Sequence, residues 1–166
     1  MNIVAQIISL VGFIFFILSI QLQEKRKLII MQFIANLLYG IGYFILNVKI
    51  AFFMNITSCI RCILIYYSSN YKPKYIYLFI LFILICLIVF LGFTNYTNAL
   101  SLIPICITLL YTISTWQNDM KIIRYCFILA AFIWIFYNYK VRAYAVIIGN
   151  IFEIISGIVS LKRYKK

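Results

Sequence analysis

Two pairs of polar residues lie inside otherwise apolar stretches of the sequence. Asn150 and Glu153 are three residues apart in GNIFEIISGIVS (149–160), and Asn55 and Ser58 repeat that spacing earlier in the chain. A spacing of three places both members of a pair on one face of a helix. Amides, a hydroxyl and a carboxylate can hydrogen-bond a polar ligand, and the carboxylate can also carry a proton. The spacing therefore predicts a polar binding site shared by two helices.

The composition indicates that these helices cross a lipid bilayer. Of the 166 residues, 66% are hydrophobic and 11% are charged, which is more apolar material than a soluble domain of this size buries. A bilayer core needs roughly 20 apolar residues per helix. Seven apolar segments are predicted as spans, at residues 3–22, 28–46, 51–67, 75–93, 99–116, 122–137 and 143–161. The fold class is therefore an all-α, multi-pass membrane protein.

The basic residues indicate how the spans are oriented, because short cytoplasmic loops carry an excess of Lys and Arg. Eleven of them fall in the loops after segments 1, 3 and 5 and at the C-terminus, and three fall on the other side. The eleven are Lys25, Arg26, Lys27, Lys72, Lys74, Lys121, Arg124, Lys162, Arg163, Lys165 and Lys166; the three are Lys49, Lys140 and Arg142. We expect the N-terminus outside and the C-terminus in the cytoplasm. The net charge of +12 therefore reports orientation, and no nucleic-acid partner is predicted.

The fourth segment separates two halves that resemble one another. It contains no charge and no Asn or Gln, which suits a helix facing lipid. A shift of 95 residues pairs Asn55 with Asn150 and Glu24 with Asp119. The second helices match best at a shift of 91, which aligns NVK (47–49) with NYK (138–140). We therefore predict a 3+1+3 arrangement of two parallel triple-helix repeats. The first repeat covers residues 1–70, the linker helix 71–97, and the second repeat with its basic tail 98–166.

Glu153 is costly inside a membrane, at about 2.5 to 3.5 kcal/mol for a carboxylate at a helix centre. Three states are open to it. It pairs with Arg61, the one basic residue deep in a span; it is protonated; or it lines a wet cavity and meets a substrate or a coupled proton. Arg61 can alternatively extend towards lipid headgroups.

Further residues fit the wall of such a cavity. The second segment carries a polar stripe formed by Gln32, Asn36, Tyr39 and Tyr43. Trp134 on the sixth segment is aligned with Tyr43 by the shift of 91. Pro104, Gly12 and Gly42 are candidate hinges for a moving carrier.

Catalysis is not predicted. The sequence has no His and only three acidic residues, so acid–base chemistry and metal binding have few groups available. The motif CIRC, with Cys59 and Cys62, has no second cysteine pair, and we predict neither a metal nor a cofactor.

The order of several residues resembles the YgjV family of bacterial inner-membrane proteins. They are Ile60-Arg61, Pro104, Ser114-Thr115-Trp116, Arg124, Trp134 and Asn138. That family is grouped with the PQ-loop, or MtN3, superfamily, which includes the SWEET sugar facilitators. The resemblance implies a 3+1+3 fold and the same orientation as the charge count. In SWEETs an asparagine on the third helix of each triplet contacts the sugar, and Asn55 and Asn150 match those positions.

Our leading hypothesis is a bacterial inner-membrane carrier that binds a small polar metabolite between the third and seventh helices. The alternative is a non-transporting accessory subunit or lipid-binding scaffold, in which the same polar residues join helices and residues 162–166 contact anionic lipid. Association between copies of the chain is left open.

Overall fold

A computed structural model of the chain describes residues 3–68 and 74–163. Within them it has seven α-helices, one short 3₁₀ helix and no β-strand. The helices are α1 (Ile3–Gln21), α2 (Lys25–Ile45), α3 (Lys49–Ser68), α4 (Lys74–Thr94), α5 (Leu102–Trp116), α6 (Met120–Lys140) and α7 (Tyr144–Arg163), and the 3₁₀ helix (Ala99–Ser101) leads into α5.

The predicted segments correspond one to one with these helices, and their ends differ by a few residues. Six helices are long and apolar enough to cross a membrane. The fully described part of α4, Leu78–Thr94, is apolar but shorter. Lys25 and Lys140 extend α2 and α6 beyond the apolar segments, because the helical backbone continues into charged residues that can reach the membrane surface.

The ends of α2 and α6 are built alike. Glu24 and Asp119 occupy the N-cap positions, and the Asp119 side chain accepts a hydrogen bond from the backbone N–H of Lys121. At the C-terminal ends Asn47 and Arg142 have φ angles of 58° and 61°, in the left-handed region. In each case the next residue donates its backbone N–H to a carbonyl oxygen five residues earlier, as in a Schellman motif. The two bonds run from Val48 to Tyr43 and from Ala143 to Asn138.

This geometry corrects the shift predicted for the second helices. Helices α2 and α6 begin 95 residues apart and end 95 residues apart, and so do α3 and α7. A shift of 91, chosen to match NVK with NYK, is therefore wrong. Trp134 lies 95 residues after Tyr39, and Asn138 lies 95 residues after Tyr43.

Six helices pack in a closed ring in the order α1, α2, α3, α5, α6 and α7, with α7 returning to α1. Helix α4 packs mainly against α3 and α5, outside this ring. Its Leu84 and Ile88 are fully buried there, whereas Phe79 and Phe93 are exposed. Apolar side chains also cover the outer faces of the ring, as expected where lipid is the solvent.

One basic residue of the charge count is buried within the described part of the chain. Arg124 is buried in the second turn of α6, and its Nη2 donates to the carbonyl oxygen of Leu22 at the end of α1, 3.3 Å away. This hydrogen bond joins the start of α6 to the end of α1. Lys72, Lys165 and Lys166 lie outside the described residues.

Candidate functional site

A buried cavity lies at the centre of the ring and is lined by all six of its helices. All seven residues predicted to bind substrate line it: Asn36, Tyr43, Asn55, Ser58, Trp134, Asn150 and Glu153. The remaining lining residues are Phe16, Tyr39, Met54, Thr108, Tyr111 and Val146. No residue of α4 contributes to the wall.

The two polar pairs form opposite parts of this wall. Asn55 and Ser58 come from α3 and Asn150 and Glu153 from α7, and all four side chains are buried. The Asn55 amide donates to the carbonyl oxygen of Ala51 in its own helix, at 2.8 Å. Since an amide has two donors and an acceptor, Asn55 retains capacity for a ligand.

Glu153 accepts a hydrogen bond from a residue that was not predicted as part of the site. The hydroxyl of Tyr111, on α5, donates to Oε1 of Glu153 at 3.2 Å. The spacing within α7 gives no information about α5, so this partner could not be found from the α7 pattern. Thr108 also lines the cavity and was not predicted, whereas Tyr39 belongs to the polar stripe predicted on the second segment.

Arg61 does not form the charge pair that was one of the open alternatives. The one ion pair among the described residues joins Lys27 to Glu24. The Arg61 guanidinium instead lies over the ring of Tyr111, with Cζ 5.9 Å from the ring centroid. Arg61 is 2% exposed, so it does not extend to lipid headgroups either. Tyr111 thus touches the cation with its ring and the carboxyl group with its hydroxyl.

An aromatic and amide cluster closes the cavity at the end where the α2–α3 and α6–α7 connections lie. The rings of Tyr43 and Trp134 are stacked, with centroids 6.2 Å apart. The Tyr43 hydroxyl donates to Oδ1 of Asn138 at 2.5 Å, and the Asn138 amide donates to Oδ1 of Asn150 at 3.3 Å. Asn138 belonged to the family resemblance but was not predicted as a site residue.

The opposite end is closed by contacts between the α1–α2 and α5–α6 connections. Lys25 Nζ donates to the carbonyl oxygen of Gln117 at 2.9 Å and to Oδ1 of Asn118 at 3.3 Å. Trp116 packs among Leu28 and Ile29 at the same end. The arginine contact from Arg124 to Leu22 adds a further link.

The cavity measures about 40 Å³. That is room for roughly two to four water molecules. The space between the two sets of contacts is therefore small. A larger recess of about 540 Å³ lies outside the Tyr43–Asn138 closure, between the α2–α3, α4–α5 and α6–α7 connections.

The candidate hinges are placed differently from what was expected. Pro104 lies in the first turn of α5, where the backbone N–H groups lack intrahelical acceptors, so it frees no carbonyl in mid-helix. Gly12 and Gly42 lie within continuous helix, where α1 approaches α2 closely. A Cβ on Gly12 would lie 3.1 Å from Leu38 Cβ.

No cluster of three or more His, Cys, Asp or Glu suited to a metal occurs among the described residues. Cys59 and Cys62 are free and buried.

Comparison with known proteins identifies the family. A family model described as a bacterial inner membrane protein, Imp-YgjV, matches residues 3–166. No curated protein and no solved structure matches the chain. The match spans all seven helices and agrees with the multi-pass architecture. The chain therefore belongs to the YgjV family of bacterial inner membrane proteins and is a multi-pass protein of that membrane.

Proposed function

We propose that this protein is a carrier or facilitator for a small polar metabolite, which binds at mid-membrane between α3 and α7. One observation carries the proposal. The seven residues predicted from the sequence come from four different helices, and all of them line one buried cavity. Polar side chains that only joined helices in pairs would not need to converge on a common space.

The proposal includes a 3+1+3 arrangement of two parallel repeats, with α4 as linker. The contacts among the six ring helices support it, because exchanging α1, α2 and α3 for α5, α6 and α7 reproduces the same set of packed pairs in the ring. The hydrogen bond between Tyr43 and Asn138 joins residues 95 apart. Equivalent residues of two repeats touch one another only close to the axis that relates them. The relationship to PQ-loop and SWEET proteins is part of this proposal.

Transport would proceed by opening one end of the occluded bundle at a time. At one end the halves are joined by Tyr43, Asn138 and Asn150, and at the other by Lys25 with Gln117 and Asn118. The recess outside the Tyr43 closure is suited to be the entrance on that side. In the orientation given by the Lys and Arg count, that side is the periplasm.

Within the cavity each group has a distinct role. Asn55 and Asn150 hydrogen-bond the substrate from opposite helices. Trp134 and Tyr43 present ring faces to its less polar part. Glu153, oriented by Tyr111, accepts a hydrogen bond from the substrate or carries a coupled proton. No catalytic role is proposed for any residue.

Uptake by proteoliposomes tests the proposal. A thermal-shift screen over sugars, nucleosides, vitamins and amines selects compounds, and their uptake is measured with the unchanged protein and with Glu153→Gln and Asn150→Ala. We expect each variant to reduce uptake at least about tenfold, the loss of one to two hydrogen bonds to a polar ligand. Ile155→Ala, on the exposed face of α7, is the matched control and should transport normally. Full transport by both site variants would show that the substrate binds elsewhere.

A further inference from the structure

Two buried polar side chains beside the cavity have atoms without hydrogen-bond partners. Gln32 on α2 is 1% exposed, and among the described residues neither its Nε2 nor its Oε1 has a partner. Arg61 on α3 is 2% exposed, and its Nε and Nη1 likewise have none. Such groups are costly to bury, a charged one most of all, and their presence requires an explanation.

Both side chains lie at the same depth, one turn beyond the cavity. Gln32 precedes Asn36 by four residues, and Arg61 follows Ser58 by three. At about 1.5 Å per residue these steps are about 6 and 4.5 Å along the two helices. Helices α2 and α3 are consecutive and packed together. Since they run in opposite directions, both steps lead towards the end where the α1–α2 connection lies.

Three donor nitrogen atoms without partners among the described residues, two of them on a permanent cation, therefore lie on neighbouring helices next to the proposed site. The nearest carboxyl group identified in the bundle interior, Glu153, is bound by the Tyr111 hydroxyl and makes no ion pair with Arg61. The Nε–H and Nη1–H groups of a guanidinium can each donate a charge-assisted hydrogen bond to a carboxylate or phosphate oxygen.

We propose that Arg61 and Gln32 form a subsite for a carboxylate or phosphate group, so that the substrate is a small organic anion. This inference rests on the proposed transport function for its location. The anionic group binds beside Arg61, and the polar body of the substrate occupies the space between Asn55 and Asn150. The reverse orientation of the substrate is disfavoured, because it would place the anionic group against the carboxyl group of Glu153.

Matched neutral and anionic compounds test this inference. Proteoliposomes containing the full chain are assayed for uptake of glycerol and glycerol 3-phosphate, glucose and gluconate, and nicotinamide and nicotinate. Binding of the same six compounds to the detergent-purified protein is measured by titration calorimetry. We expect only anionic members to be bound and transported. Arg61→Gln should weaken their binding about 30-fold or more, Arg61→Lys should weaken it less, and Gln32→Ala about fivefold.

Arg26→Gln, which removes an exposed arginine at the start of α2, is the charge-matched control and should bind the anions normally. If neutral members are transported and Arg61→Gln has no effect, the anion subsite is wrong and the carrier function stands. If anions bind through Arg61 without being transported, the subsite stands and the carrier function is wrong. If none of the six is bound or transported, the substrate class proposed here is wrong.

Discussion

At the level of single residues, the buried guanidinium of Arg61 separates a binding function from a structural one. A buried cation held by a structural partner stabilises the fold, and its removal costs about 3 to 5 kcal/mol. A buried cation kept for a ligand destabilises the empty protein, since two nitrogen atoms of Arg61 have no hydrogen-bond partner among the described residues. The contact with the Tyr111 ring returns only part of that cost.

We therefore predict that Arg61→Met stabilises the protein in the absence of ligand. The free energy of unfolding should rise by about 1 to 3 kcal/mol, the usual cost of unsatisfied buried polar groups. Thermal unfolding in detergent, followed by circular dichroism, measures the change. Arg26→Met should stay within about 0.5 kcal/mol of the unchanged protein. A lowered stability for Arg61→Met would mean that the guanidinium is held structurally, and the anion subsite would lose its basis.

The helical period explains why the residues predicted to bind substrate line one cavity. Asn55 with Ser58 and Asn150 with Glu153 each share a face, and a face that carries a carboxylate in a membrane must turn inward. Tyr111 was not found because no pattern within one helix indicates which residue of another helix lies opposite. The sequence also could not predict that nitrogen atoms of Arg61 lack partners in the described part of the chain, because that depends on which side chains of other helices reach them.

At the level of helices, α1 and α2 pack closely together at Gly12. The close contact favours a packing role for Gly12 over the predicted hinge role. A Cβ at Gly12 would lie 3.1 Å from Leu38 Cβ and 3.3 Å from the carbonyl oxygen of Ala35. Neither atom can move without displacing α2. At Gly40, by contrast, the nearest atom is Asn55 Cβ at 3.5 Å, an ordinary van der Waals contact.

Gly12→Ala is accordingly predicted to destabilise the protein by about 1 kcal/mol, because overpacking of the α1–α2 interface exceeds the gain in helix propensity. Gly40→Ala, the matched control, should be neutral or stabilising by up to about 1 kcal/mol. Reversible unfolding in mixed detergent quantifies both changes. If Gly12→Ala stabilises the protein while reducing uptake, Gly12 acts as a hinge and the packing interpretation is wrong.

The helices themselves were predictable because loops between membrane spans are marked by charged and polar residues. The alignment of the second helix of one half with that of the other half was not predictable. Inside Ile-rich helices nothing distinguishes one turn from the next, so the match of NVK with NYK determined the shift of 91. In the structure the left-handed position is Asn47 in one half and Arg142 in the other. Asn adopts this conformation readily and Arg does not, so sequence identity placed the equivalent positions four residues out of register.

At the level of the whole molecule, the two closures of the cavity predict opposite responses to mutation. Each closure joins the first half of the chain to the second, through Tyr43 and Asn138 at one end and through Lys25 and Gln117 at the other. A carrier that alternates has two open states, and weakening one closure favours the state that is open at that end. A scaffold that merely packs its helices has no reason to respond at one end only.

Labelling of a cavity cysteine measures this response. In a variant lacking the five native cysteines, Ser58→Cys is exposed to a membrane-impermeant maleimide from either side of the membrane. Tyr43→Phe should speed labelling from the side of the α2–α3 connection, and Lys25→Ala from the opposite side. Loss of one hydrogen bond worth about 1 kcal/mol changes the open population about fivefold.

Tyr125→Phe and Lys121→Ala, which alter exposed residues, should leave both rates unchanged. The sides also report orientation, since the α2–α3 connection is expected in the periplasm. If Tyr43→Phe and Lys25→Ala both speed labelling from the same side, the bundle does not alternate about this cavity. If neither variant has an effect, the contacts at the two ends are structural, and the scaffold alternative becomes the better account of the same residues.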